Sequence, residues 1–264
     1  NKTELINLET PTIGLASGQL TGSDQEREWA VKGVFYRFTY DYKGKYLLGS
    51  NGRYDGSSRF ATSNRFKMFP TFSAGWRISE EKFFSGLKPT VSDLKFRGSY
   101  GSLGNQNVGT DMWLRLYGKT DQVNYIFGGA RPLGITPPGL IDPFLTWETA
   151  TTLDLGVDAT LFKRLNISFS WYDRKTTDIL VDGAKYPATL GTSSPTTNSG
   201  VLDTKGFDFQ ASYNNTTAGG LNYDITATLS NYKTVVESFS GNPNMLLSTL
   251  YNGQVVGDIW GYDT

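Results

Sequence analysis

Three carboxylates, Glu148, Asp154 and Asp158, stand on one parity of the stretch TWETATTLDLGVDATLF. Carboxylates facing the same way are the raw material of acid/base hydrolysis, one group donating a proton while the other accepts one or attacks. Nothing in the sequence sets a nucleophile or second acid beside them. The chain has no histidine and no cysteine, which excludes Ser-His-Asp and Cys-His catalysis, HExxH metal sites and thiolate ligands. The better reading is electrostatic. An antiparallel neighbour carrying Lys95 and Arg97 brings two cations to the height of Asp154 and Asp158, giving cross-strand charge pairs.

Other candidate chemistry is weaker. GSYGSLGNQ has the glycine spacing of a loose nucleotide loop, but it closes a strand and no helix follows. The two sequons, at Asn166 and Asn215, are read as chance, the first falling inside a strand. Asp111 and Asp121 are too isolated to hold calcium. Lysine plus arginine equals aspartate plus glutamate at 25 each, so no net field draws nucleic acid. No motif calls for a cofactor or metal. The expectation is that the protein is not an enzyme.

Period-two alternation is the main signal along the chain, and it recurs about eight times. From Trp29 to Asp41 the apolar set is Val34, Tyr36, Phe38 and Tyr40. After DYKGK, Tyr46, Leu48 and Tyr54 oppose Asn51, Arg53 and Asp55. A third strand is expected over Lys67 to Ile78 and a fourth over Asp93 to Leu103, where Lys95 and Arg97 share the polar parity. Leu153, Leu155 and Val157 face away from Asp154, Gly156 and Asp158. Three more follow, around Leu165 to Tyr172, Thr204 to Tyr213 and Tyr223 to Ser230.

The connections alternate too. DYKGKY, LFKRLN and NNTTAGG are short. GSSRFATSNRF, Gly104 to Thr146 and Lys175 to Ser199 are long, while SEEKFFSGLKPTVSD reads as a helical turn on the short side. Short turns at one end and long loops at the other mark an outer-membrane β-barrel, whose strands need only about 9–11 residues each. Tyr36, Tyr40, Tyr42 and Tyr46 are expected near the short-turn rim, with Trp29, Tyr54 and Trp171 towards the other. On this reading Arg53, Asp55, Lys95, Arg97, Asp154 and Asp158 face a wet lumen, and the chain leaves the membrane at Gly56. In the longest loop, Trp113, Tyr117, Tyr125 and Phe127 are candidate contacts for a sugar face, a peptide or a partner protein, and RPLGITPPGLIDPF adds four stiffening prolines.

Several stretches, in order, are similar to the SusC/RagA family of TonB-dependent outer-membrane transporters. They are YDYKGKYLL, GRYDGSSRF, FPTFSAGWRISEEKFF, LKFRGSYGSLGNQ, LTWETATTLDLGVDATLF, WYDRKTTDIL, NSGVLDTKGFDFQASY and GQVVGDIWGYDT. The resemblance implies an all-β fold: about eight antiparallel strands of a larger, 22-stranded transmembrane barrel. Residues 1–264 would then be part of a single barrel domain, in the outer membrane of a Gram-negative bacterium, with the plug domain and TonB box outside this stretch. It further implies import of oligosaccharides or peptides, powered by TonB, with a SusD-like surface lipoprotein as partner and the lipid bilayer as surroundings. Both ends read as cut from a longer chain, and NKTELINLETPTIG has no signal-peptide character. Two alternatives stay open: a stand-alone small barrel serving as adhesin or structural protein, and a soluble carbohydrate-binding β-sandwich.

Overall fold

The computed structural model describes residues 27–259 and 261, apart from 121–124, 131, 133, 184 and 218. NKTELINLETPTIG and the last residues of GQVVGDIWGYDT therefore lie outside the described residues. Among the described residues ten strands form: β1 (Val31–Tyr42), β2 (Tyr46–Ser57), β3 (Phe66–Arg77), β4 (Val91–Asn105), β5 (Gly118–Thr120), β6 (Gly134–Thr136), β7 (Glu148–Leu161), β8 (Leu165–Asp182), β9 (Thr196–Thr216) and β10 (Asn222–Ser238). Eight of them make one antiparallel meander in the order β1-β2-β3-β4-β7-β8-β9-β10, and β5 and β6 pair apart as a small hairpin. The sheet is open, since β1 pairs only with β2 and β10 only with β9 among these strands. It is a single layer. Neither a closed eight-stranded barrel nor a two-sheet sandwich describes it.

Turn chemistry sets the short end. Lys43 and Gly44 take φ of 55° and 67°, and Phe162 and Lys163 take 51° and 56°. Two consecutive positive φ values make a tight hairpin turn whose twist matches the flanking strands. Asp41 Oδ1 accepts the Gly44 N–H at 2.8 Å and holds the first of these turns. The expected helical turn is present as two short 3-10 segments, Ile78–Glu80 and Lys82–Leu87. It begins at Ile78, so β3 ends at Arg77, one residue before the expected limit.

At the other end the sequence expectation was too short. About half of Lys175 to Ser199 is strand, because β8 runs on to Asp182 and β9 starts at Thr196. The reason is a register shift between Thr176 and Ile179, where Asp178 adopts φ 59°. A bulge adds a residue to one strand and breaks the period-two pattern by which the strand is recognised. Gly104 and Asn105 likewise belong to β4, and Gly56 and Ser57 remain paired within β2.

One face of the sheet is apolar and uncovered: Val34, Phe38, Phe72, Tyr100 and Leu155 are among its exposed side chains. The apolar band crosses the strands on a slant. Its upper margin follows Val34, Tyr54 and Met68 in one register row, then drops to Tyr100 and Leu153, to Trp171 and Phe207, and to Leu229. The lower margin drops in step, from Tyr42, Tyr46 and Trp76 through Leu94 to Leu161, Leu165 and Tyr213, and to Tyr223. The drift is roughly one residue per strand. With a rise of about 3.4 Å per residue and strands about 4.8 Å apart, that is a tilt of about 35°, the value for barrel strands against the membrane normal. The slant puts Tyr54 and Trp171 on the upper margin and Tyr42 and Tyr46 on the lower, with their rings stacked 6.4 Å apart. Tyr36 departs from expectation, lying mid-strand opposite Gly52.

The buried core is small and sits at the long-loop end. Pairing of β3 with β4 stops at Thr71 and Gly101, beside Pro70, which has no N–H to donate. The opened seam is filled by Phe60, Phe69, Val108 and Trp147, all buried, with Phe60 and Phe69 rings 5.2 Å and 5.5 Å from the Trp147 ring. Side chains from three segments pin the chain there. The Trp147 indole N–H donates to Arg65 O at 3.0 Å, and Asn64 Nδ2 to Leu145 O at 3.3 Å. Asn198 Oδ1 accepts the Thr146 N–H at 2.8 Å, and its Nδ2 reaches Thr146 O at 2.9 Å and Asp178 O at 2.6 Å.

Two outcomes are expected in the full-length protein. Asn198→Ala should cost about 1–3 kcal/mol by leaving half-buried backbone groups unpaired. It should lower the temperature at which the folded band is lost on a heat-modifiable gel, and new protease cuts should appear near Leu145. At the short end, Glu81 accepts from Tyr46 Oη at 2.8 Å, Lys45 Nζ at 3.0 Å and Trp76 Nε1 at 3.3 Å. The Tyr46 hydrogen bond, then that of Lys45, holds its carboxyl below the usual glutamate range against partial desolvation. A lowered folded-state value contributes stability above the unfolded value of about 4.3 and loses it as pH falls through the folded one. Hydrogen exchange across 78–90, corrected for intrinsic rate, should rise on acidification below about pH 4.3, and Glu81→Gln should flatten that rise.

Candidate functional site

The expected cross-strand pairing is present, on the sheet face opposite the apolar band. Register sets Lys95 across from Asp158, Arg97 across from Gly156 and Ser99 across from Asp154. Lys95 Nζ lies 2.8 Å from Asp158 Oδ2. The Arg97 guanidinium forks, with Nη1 2.9 Å from Asp154 Oδ1 and Nε 3.4 Å from Asp158 Oδ2. Its Nη2 continues across β7 and donates to the Ser170 hydroxyl on β8. Ser168 Oγ donates to Asp158 Oδ1 at 2.8 Å.

This reach depends on a missing side chain. A Cβ built on Gly156 would lie 2.6 Å from Arg97 Cζ. Gly156 is therefore the saddle over which the guanidinium crosses, a role that alternation alone did not reveal; its only sequence signal is a glycine in mid-strand. Each carboxylate has a cationic partner, so the four charges balance locally. All four side chains are about one-third exposed, a setting in which such pairs contribute modestly to stability. Glu148 stands apart at the strand end, accepting from Asn105 Nδ2 at 3.5 Å. The three carboxylates are thus not assembled as an acid/base set.

Arg53 and Asp55 share the polar face nearer the long loops and form a pair along their own strand, Nε to Oδ2 at 3.0 Å. They do not touch the Arg97 network. Of the loop aromatics, Tyr125 and Phe127 come together, rings 6.2 Å apart and both exposed. Tyr117 is exposed and Trp113 half-buried; among the described residues neither makes a ring contact with that pair. The four do not form one cluster. Asp111 occupies a turn with φ 67°, and Asp121 lies outside the described residues. Among the described residues no group of three or more His, Cys, Asp or Glu side chains is placed to hold a metal.

A tilted, open antiparallel sheet with one apolar face, one charged face and rims of unequal loops is a wall of a membrane-spanning β-barrel. Comparison with known proteins identifies which kind. Residues 4–260 match the family described as TonB dependent receptor-like, beta-barrel, and the chain belongs to that family. It is 35% identical over 232 residues to TonB-dependent receptor P26 of Formosa agariphila, covering 88% of this chain and 22% of that protein. It is 36% identical over 179 residues to TonB-dependent receptor SusC of Bacteroides thetaiotaomicron, covering 66% and 18%. Among solved structures, the RagAB peptide importer in its open-open state aligns with a TM-score of 0.73 at 25% identity, over 89% of this chain and 26% of that one. The FrpB iron transporter of Neisseria meningitidis, at 15% identity and a TM-score of 0.51, shares the fold alone. The chain is a barrel portion of the SusC/RagA type and spans about a fifth of the length of the curated relatives it matches.

The saddle makes a testable demand. In the full-length protein Gly156→Val should push the guanidinium off Ser170 and cost about 1–3 kcal/mol through overpacking, read as a lower unfolding temperature in detergent. Adding Arg97→Met should recover part of the loss. Equal behaviour of the single and double variants would mean that the guanidinium does not cross there.

Proposed function

We propose that residues 1–264 form one continuous part of the barrel wall of a TonB-dependent nutrient importer in the outer membrane of a Gram-negative bacterium. The apolar face meets lipid. The face bearing Arg53, Asp55, Lys95, Arg97, Asp154 and Asp158 lines the lumen, against water, plug or passing substrate. The observation that carries this reading is the slanted apolar band: uncovered, about one residue lower per strand, and followed above by polar residues from β4 to β10. A soluble sheet has no reason to hold such a band at a constant height.

Energy would come from TonB through a plug and TonB box elsewhere in the protein, and a SusD-like lipoprotein would cap the long-loop end. The transported class is oligosaccharide or peptide; the likeness to the RagAB peptide importer supports the peptide and the likeness to SusC supports the receptor type. Tyr117, Tyr125 and Phe127, exposed in the longest loop, would meet substrate or lipoprotein. The wall residues bind and guide, and no bond is made or broken.

The facing of the strands is the test. In the full-length protein, Leu155→Arg and Phe169→Arg should each cost roughly 2–4 kcal/mol near the bilayer midplane and reduce the folded fraction in outer membranes, as seen by heat-modifiable migration. Ser168→Arg should be much milder. Equal folding of Leu155→Arg and Ser168→Arg would put the apolar face out of lipid. Transport itself is tested by uptake of a labelled peptide mixture and of labelled oligosaccharides into cells with and without the full-length gene. Uptake of neither class, or uptake indifferent to TonB, would overturn the importer.

A further inference from the structure

Between β3 and β4 the chain changes sides of the wall. Arg77 and Asp93 meet on the polar face, Nε to Oδ1 at 3.5 Å, and the buried Ser79 hydroxyl donates to the same carboxylate oxygen. Two residues on, Glu81 accepts from Tyr46 Oη and Trp76 Nε1, and those two residues face each other in register on the apolar side. The segment therefore passes beneath the lower ends of the strands and emerges outside. The 3-10 turn Lys82–Leu87 follows directly, at the foot of the apolar band.

There the turn divides its apolar side chains. Phe84 is buried and fastens the turn, whereas Phe83 and Leu87 stay 72% and 56% exposed. The next short turn adds a third exposed ring, Phe162, whose N–H donates to Thr90 O at 2.8 Å and ties the two turns together. Lys82 and Lys88 flank Phe83 and Leu87 along the chain, and Lys88 Nζ lies 3.4 Å from Glu80 Oε1. Exposed apolar side chains outside the strands, flanked by lysines and continuous with the foot of the band, have the make-up of a segment lying in a membrane interface.

We propose that the 78–90 turn is an interfacial anchor, laying Phe83 and Leu87 into the headgroup region of the periplasmic leaflet. The short turns of such barrels face the periplasm, which fixes the leaflet. Glu81 is the clasp. It accepts from a lipid-facing tyrosine and tryptophan whose polar tips belong at headgroup height, and so it holds the turn at that depth. The partner is the bilayer surface itself, with no headgroup selected. The inference rests on the reading that the apolar face meets lipid, and it adds a membrane contact made by a turn and not by a spanning strand.

The test uses full-length protein in nanodiscs, with cysteines introduced one at a time and labelled with an environment-sensitive fluorophore. Phe83→Cys and Leu87→Cys are compared with Leu155→Cys in the band and with Thr62→Cys, exposed at the long-loop end. The quenchers are lipids with a nitroxide at the headgroup, lipids with a nitroxide deep in the acyl chain, and aqueous iodide. Labels at 83 and 87 should be quenched most by the headgroup nitroxide, the label at 155 by the deep one, and the label at 62 by iodide alone. Adding Glu81→Ala to Phe83→Cys should shift quenching from the lipid probe towards iodide, with folding checked by heat-modifiable migration. Labels at 83 and 87 that answer iodide as strongly as the label at 62 would overturn the proposal. Shielding from all three quenchers would overturn it too, because protein would then cover the turn. A label at 155 that no lipid nitroxide reaches would instead remove the reading beneath it.

Discussion

Inside an apolar medium no water replaces a missing backbone partner, and this constraint organises the whole chain. The six inner strands meet it by pairing with a neighbour on each side, while among the described residues β1 and β10 each keep one edge open. Once every strand is paired in this way, side-chain period two sorts the faces without further instruction. The tilt then follows from the pairing, because an apolar band at constant height must slip about one residue per strand when strands lean at about 35°.

Departures from the ladder fall outside that band or at its margin. Pro70 ends the β3–β4 seam where the long loops begin, and the opened seam is filled by an aromatic core built on Trp147 and Phe60. The shift at Asp178 likewise lies at the loop end. There, side-chain amides such as those of Asn64 and Asn198 replace strand neighbours as partners for the backbone. The base of the longest loop is thereby fixed to the wall, while the pair Tyr125 and Phe127 stays exposed further along it.

The polar face shows a different economy of space. Arg97 spans three strands by crossing a glycine, neutralising two carboxylates on one side and meeting a serine beyond. Charges that would repel along β7, Asp154 and Asp158, are instead held by a single guanidinium with help from Lys95. On the opposite face, the lysines beyond Trp171 and Phe207 meet carboxylates in the same manner but remain half exposed beside a groove. One device serves two surroundings, and the position of the apolar band decides which.

Alternation and turn chemistry are local, so the sequence by itself determined the strands, their two faces, the uneven loops and the pairing of Lys95 and Arg97 with Asp154 and Asp158. Those pairs were legible because opposite charges share the polar parity of two strands that neighbour each other in the meander, even though the longest loop joins them. Four things were not local. The extension of β8 to Asp182 was hidden because a bulge at Asp178 shifts the parity on which a strand is recognised. The core around Trp147 was hidden because its members come from four separate segments brought together only where Pro70 opens the seam. The saddle at Gly156 was hidden because a glycine in a strand has no pattern of its own; only the guanidinium lying 2.6 Å from where its Cβ would stand shows what it is for. The slant of the apolar band needed the tertiary structure for the same reason, since height in a barrel belongs to the sheet as a whole and not to any one strand.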